Sequence, residues 1–218
     1  SGIVEIARFL ENQGADYFAV AYTDEGIALR KAGIRLPIMV LNANLNDADL
    51  FMRYDLEPEL YSLKQLAQYT KDYKDSQRKL KVHIMLNTGM NRLGFSHDQL
   101  TLLIQTLRKT ELIEVQSICS HLAASDDPKE ERFTLSQIEA FKTGADQIAE
   151  TLTERPLYHI LNSGGISRYP QFQFDMVRLG IGMHGVEVAN LKQDGLKTPA
   201  RLSSVISQIR EVKAGETI

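Results

Sequence analysis

Short apolar runs with a two-residue period alternate with helical patterns along most of the chain, and this alternation restricts the fold more than any other feature. YFAVAY (17–22), LPIMVLN (36–42), ELYS (59–62), the run 80–86, IEVQSICSH (113–121), LYHILNSGG (157–165) and FDMVRLGIGMHG (174–185) read as seven strands. Helical stretches lie between them, such as DEGIALRKAG (24–33), LKQLAQYTKDYKD (63–75), a segment opening at Ser96 and a long one opening at Pro128. Strands and helices in strict alternation, joined by short connections, imply parallel strands covered by helices. Both an open doubly wound sheet and a closed (β/α)₈ barrel satisfy that rule. The chain begins on a helix, with Ile3, Ile6, Ala7 and Leu10 on one face. Seven strands after that helix predict an α/β, (β/α)₈ TIM-like barrel whose first strand lies upstream of Ser1.

The texture changes near residue 190. Residues 1–190 read as the barrel and 191–218 as the start of something else. In the tail, Leu202, Val205, Ile206 and Ile209 have helical spacing, yet three of the four are β-branched and Gly215 punctuates the end. Period alone leaves helix and strand both open there.

Composition narrows the function classes. A net charge of −3 over 218 residues gives no electrostatic footprint for nucleic acid. The single cysteine, Cys119, permits no internal disulfide and fits a reducing, cytoplasmic setting. No apolar run approaches the roughly 20 residues a bilayer requires, and the amphipathic start is unlike a secretory signal. There is no Cys/His cluster for a metal and no nucleotide-binding P-loop pattern.

In (β/α)₈ barrels the active site gathers at the carboxyl ends of the strands. Arg92 follows the strand 80–86, His121 ends 113–121, Asn162 and Ser163 end 157–161, and Arg178 and Gly180 lie on the last strand. These groups are expected at one mouth. Asn162-Ser163-Gly164-Gly165 and Leu179-Gly180-Ile181-Gly182 fall where such barrels often hold phosphate, and a hydroxyl beside glycine-freed amides suits one. Taken singly, Arg92 could be a solvated loop charge and His121 a satisfied core histidine. Arg178, a charge within an apolar strand, requires a partner or a ligand. His83 and His97 read as structural, and Asp126-Asp127 as helix-start chemistry.

The motifs NTGMNRLGF, SHLAASDDP, HILNSGG and FDMVRLGIGMHG, in this order, resemble those of the alanine racemases of the pyridoxal-phosphate barrel fold, and the resemblance covers essentially the whole chain. It implies a pyridoxal 5'-phosphate enzyme that interconverts L- and D-alanine, supplies a cell-wall precursor and works as a homodimer. It also makes the tail the entry to a β-rich C-terminal domain. Position by position, it implies that Arg178 faces the pyridine nitrogen with His121 behind it. Ser163 would cradle the phosphate with the Gly180 and Ile181 amides, beside Asn162. Leu41 would pack near the ring, and Arg92 would sit by the phenolic oxygen and the substrate carboxylate.

Three departures accompany the resemblance. The lysine that forms the Schiff base would lie upstream of Ser1, and the opposing tyrosine would come from the β-rich domain of a partner subunit. Two-base racemisation needs a proton acceptor on each face of the α-carbon, and this chain supplies neither. Met85 and Asn87 stand where many relatives have a carbamylated lysine and an aspartate, and His184 replaces a tyrosine. The expectation is a racemase fragment unable to turn over alone. The alternative is a non-catalytic pyridoxal-phosphate-binding or interaction domain built on the same barrel.

Overall fold

The computed structural model describes residues 2–188, 196–199 and 201–216. Its frame is a parallel sheet of six strands, β1 (Phe18–Val20), β2 (Ile38–Val40), β3 (Glu57–Leu60), β4 (Leu80–Met85), β5 (Ile113–Cys119) and β6 (Leu157–His159), hydrogen-bonded in sequence order. Seven α-helices accompany them: α1 (Ile3–Asn12), α2 (Thr23–Lys31), α3 (Ala48–Tyr54), α4 (Leu63–Asp72), α5 (Leu100–Leu107), α6 (Glu131–Ala149) and α7 (Ser163–Arg168). This order decides between the two architectures the alternation left open. A doubly wound sheet reverses its strand order at a switch point, whereas a barrel adds each strand beside the last. The sheet is therefore a curled, partial α/β barrel.

The two faces of the sheet have different chemistry. Ile38, Val40, Leu60, Val82, Ile84, Ile118 and Tyr158 belong to one buried apolar cluster shared with the helices. The alternate positions carry Glu57, Glu59, His83, Met85, Ser117, Cys119 and His159, all buried but mostly polar. Successive strand residues point to opposite sides, so a polar column occupies the concave side, opposite the apolar core. Local signals set the ends of the elements. Ser62 accepts a hydrogen bond from the Gln65 amide at 3.2 Å to start α4, and Asn162 accepts one from Gly165 at 3.0 Å to start α7.

Two sequence expectations need correction. The run 157–165 is not one strand, since β6 ends at His159 and α7 begins at Ser163. The seventh strand expected at 174–185 is absent. Phe174 has a positive φ of 51°, and the segment's backbone amides bond the β6 stretch at two carbonyls, Asp175 and Met176 donating to Tyr158 and Arg178 to Leu161 just beyond the strand end. A short 3₁₀ turn at 181–184 follows. A left-handed residue at the entry and glycines at 180 and 182 deny the segment a regular ladder. The tail, taken as β on resemblance, forms no helix or strand over 201–213. The 190/191 boundary lies outside the described residues.

Candidate active site

The carboxyl ends of the strands surround a cavity of about 850 Å³, within the range that holds a cofactor-sized molecule. Arg92, His121 and Arg178 bring its nitrogen chemistry, Asn162, Ser163, Gly180 and Ile181 a second wall, and Leu41 an apolar contact. All eight residues singled out by sequence thus meet at one place, although they come from five segments of the chain.

Arg178 is the anchor. Its Nη1 donates to His159 Nδ1 at 2.5 Å and to the His159 carbonyl at 3.2 Å, and its Nη2 donates to the carbonyls of Ser120 and Ile160 at 2.5 and 3.3 Å. His121 Nδ1 stands 3.4 Å from Nη2. Among the described residues no bond engages Nε, which is left for whatever enters. Burial, then the charges of Arg178 and Arg92, push His121 down to about 4, so its ring is neutral at physiological pH.

His159, which the sequence reading left unassigned, is therefore the chief support of Arg178, and His121 is secondary. His159 in turn leads into a buried chain. Its Nε2 lies 2.8 Å from Ser117 Oγ, which lies 2.7 Å from His83 Nδ1, and His83 Nε2 lies 3.0 Å from Glu57 Oε2. Tyr17 closes the chain by donating to the same Glu57 oxygen. Burial and Arg178 hold His159 well below its ordinary value, hence neutral. Because Nδ1 must accept from the arginine, the proton sits on Nε2 and is donated to Ser117. Burial alone would raise the Glu57 carboxyl, but the hydrogen bond and charge of His83 outweigh it and hold the carboxyl below its usual range. Histidines on β4 and β6 were the available signal for this chain, but its bonds link four strands, β3 to β6, and have no sequence spacing.

The remaining parts are loops tied to that column. Asn87 Oδ1 accepts from the amides of Gly89 and Asn91 at 3.1 and 3.0 Å, which folds the Arg92 loop on itself. Ser120 Oγ donates to the Leu86 carbonyl at 2.7 Å and so couples this loop to the strand end that holds Arg178. On the other wall, Ser163 Oγ accepts from the amides of Gly180 and Gly182, both at 3.1 Å. Gly182 thus joins Gly180 at the serine. Asn162 pins this wall by donating to the Leu122 carbonyl at 3.1 Å. Arg92 itself is exposed and makes no hydrogen bond or ion pair among the described residues.

The sequence profile described as "Alanine racemase, N-terminal domain" matches residues 1–188. The alanine racemase of Treponema denticola is 35% identical over 187 residues, covering 84% of this chain and 49% of that protein. That of Carboxydothermus hydrogenoformans is 32% identical over 227 residues, 100% of this chain and 60% of that protein. Among solved structures, the alanine racemase of Clostridium difficile 630 in complex with cycloserine superposes with a TM-score of 0.81 at 30% identity, covering 90% of this chain and 55% of that one. The structure from Bartonella henselae with covalently bound pyridoxal phosphate gives 0.80 at 27%, covering 90% and 56%. The chain thus spans about half the length of several of the relatives it matches.

Proposed function

The chain belongs to the alanine racemase family through its N-terminal domain, and from that premise we propose that it is the pyridoxal-phosphate-binding barrel of an enzyme interconverting L- and D-alanine. The observation that carries the proposal is the half-buried Arg178, held on its Nη side by protein acceptors, with Nε unengaged among the described residues.

The residues suit the cofactor. At Gly180 an added Cβ would meet nothing nearer than Ser163 Oγ at 4.0 Å, which leaves open room beside a hydroxyl for phosphate oxygens. Ser163 and the Gly180 and Ile181 amides would hold the phosphate, with Asn162 fixing their wall. Leu41 would lie against the ring and Arg178 at its nitrogen. When bound, pyridoxal phosphate withdraws electrons from the substrate α-carbon and acidifies its proton. Arg178 is permanently protonated, so it would donate a hydrogen bond to the ring nitrogen without passing it a proton, which would disfavour transamination. Neutral His121 and His159 hold the arginine without competing for its charge. Arg92 would receive the substrate carboxylate. No lysine or tyrosine placed for both α-carbon faces lines the cavity among the described residues, Tyr22 being its one phenol. On this reading the described residues bind and orient, and the proton-transferring groups would come from other parts of the enzyme.

The same reading makes 1–190 the cofactor domain and 191–218 the entry to a second one, and makes the intact enzyme a cytoplasmic homodimer. What stands independently of it is that no described helix is long and apolar enough to cross a membrane. The test is uptake of pyridoxal phosphate by the intact protein, followed by borohydride reduction, peptide mapping and an assay for D-alanine. One specific adduct with D-alanine formation supports the reading. Absence of uptake, or adducts scattered over surface lysines, removes it.

A further inference from the structure

Glu59, a buried carboxylate of the cavity lining, has no task in the reading above. It sits on β3, is 5% exposed and lines the cavity with Arg92 and Met85. Its hydrogen bond among the described residues is a weak one, donated by Cys119 Sγ to Oε1 at 3.4 Å. The other carboxylate of the cavity, Asp126, is exposed. An enclosed carboxylate without a cation is costly, and such costs persist in sites that use them.

Two cations share the cavity with it, in opposite conditions. Arg178 already has His159 and three carbonyls on its Nη atoms. Arg92 has no such partner among the described residues and extends from a loop that is itself tightly folded. Met85, at the strand end from which that loop departs, also lines the cavity and offers no charge to orient a guanidinium.

We propose that Glu59 is the positioning residue for Arg92, drawing its guanidinium inward so that its remaining N–H groups meet the carboxylate of an amino-acid substrate. This deepens the racemase reading and rests on it. A guanidinium has five donors in a fixed fork, so one edge can bond Glu59 while another receives the ligand. Fixing the side chain beforehand removes the ordering cost at the moment of binding. Burial pushes the Glu59 carboxyl up to about 7, while Cys119, Arg178 and Arg92 pull it down. An inward Arg92 strengthens that pull, so carboxylate and guanidinium stabilise each other in the loaded site.

The test compares the intact wild-type protein with Glu59→Gln, Glu59→Asp and the double variant Glu59→Gln/Met85→Glu, which returns a carboxylate from the neighbouring strand. Pyridoxal phosphate uptake is measured by absorbance, propionate affinity by calorimetry, and KM and kcat for alanine by turnover. Glu59→Gln is expected to leave cofactor uptake within about twofold, yet weaken propionate binding and raise KM by roughly tenfold, the size of one lost charge-assisted contact. Glu59→Asp and the double variant should recover most of that loss. Unchanged propionate affinity in Glu59→Gln overturns the inference. So does a loss that neither carboxylate-bearing variant recovers, because packing alone would then explain it. If Glu59→Gln does not fold, recovery in the double variant decides in the same way. Absence of cofactor uptake in the wild type instead sinks the racemase reading, and the Glu59 role with it.

Discussion

The polar column of the barrel sets two carboxylates against each other, and pH separates them. Glu57 is held below its ordinary value of 4.5 by His83. Its contribution to stability is present above that value and lost as pH falls through the depressed folded one. Glu57→Gln should therefore flatten the acid limb of a stability–pH curve below about pH 4.5 while costing about 1–3 kcal/mol near neutrality through the weakened His83 bond. Chemical denaturation at several pH values measures both. Glu59 has the opposite sign, raised from 4.5 to about 7 chiefly by burial. The folded state holds its proton longer than the unfolded one, so stability declines as pH rises through that window. Glu59→Gln should thus be more stable than wild type above about pH 7, by on the order of 2–3 kcal/mol, with no gain below 4.5. An equal effect at all pH values would refute the assignment. Such a gain would mean that the native carboxylate costs stability and is retained for the site. Single residues such as Arg92, in a loop after a strand, and Arg178, a charge within an apolar run, stood out in the sequence because their type conflicts with their position. His159, Ser117 and Glu57 did not, because each is an ordinary strand residue until its partner on another strand is known.

At the scale of elements, the loop from Leu86 to Phe95 shows how a strand presents an arginine. Phe95 donates to the Met85 carbonyl at 2.8 Å and Asn87 to that of Phe95 at 2.9 Å, so the chain returns to the strand end it left. Closure depends on Gly94, whose φ is +116°. A Cβ there would lie 2.5 Å from the Asn87 nitrogen and 2.7 Å from the Leu86 carbonyl carbon. Both obstacles are backbone and cannot swing aside. Gly94→Ala should cost about 2–4 kcal/mol and displace Arg92, so cofactor affinity should suffer less than affinity for a substrate carboxylate. Parallel losses in both would indicate a general collapse. Sequence period found β1 to β5 because each is flanked by a helix with its own period. It misjudged 174–185, where apolar residues pack beside β6 without forming a ladder. There the glycines and the left-handed Phe174 govern the backbone, and hydrophobicity reports only burial.

On the scale of the whole molecule, the sheet and its helices bury a continuous core, while the tail buries almost nothing. Leu202, Val205, Ile206 and Ile209 are 101%, 88%, 79% and 82% exposed. Burying even one such side chain would be worth about 1.5–3 kcal/mol, which for a chain of this size corresponds to several degrees in Tm. If the tail packs on nothing in this chain, ending the protein before Arg201 should leave the Tm of the 218-residue form within about 2 °C. It should also lower its binding of a hydrophobic dye and its tendency to associate. A drop of several degrees would mean that the tail docks on the barrel and that the proposed second domain is unnecessary to explain it. If the proposed β-rich domain follows, the same residues should become protected from amide exchange in the intact enzyme, because that domain would supply what they pack against. The contrast between the two contexts separates a barrel that ends here from one that continues.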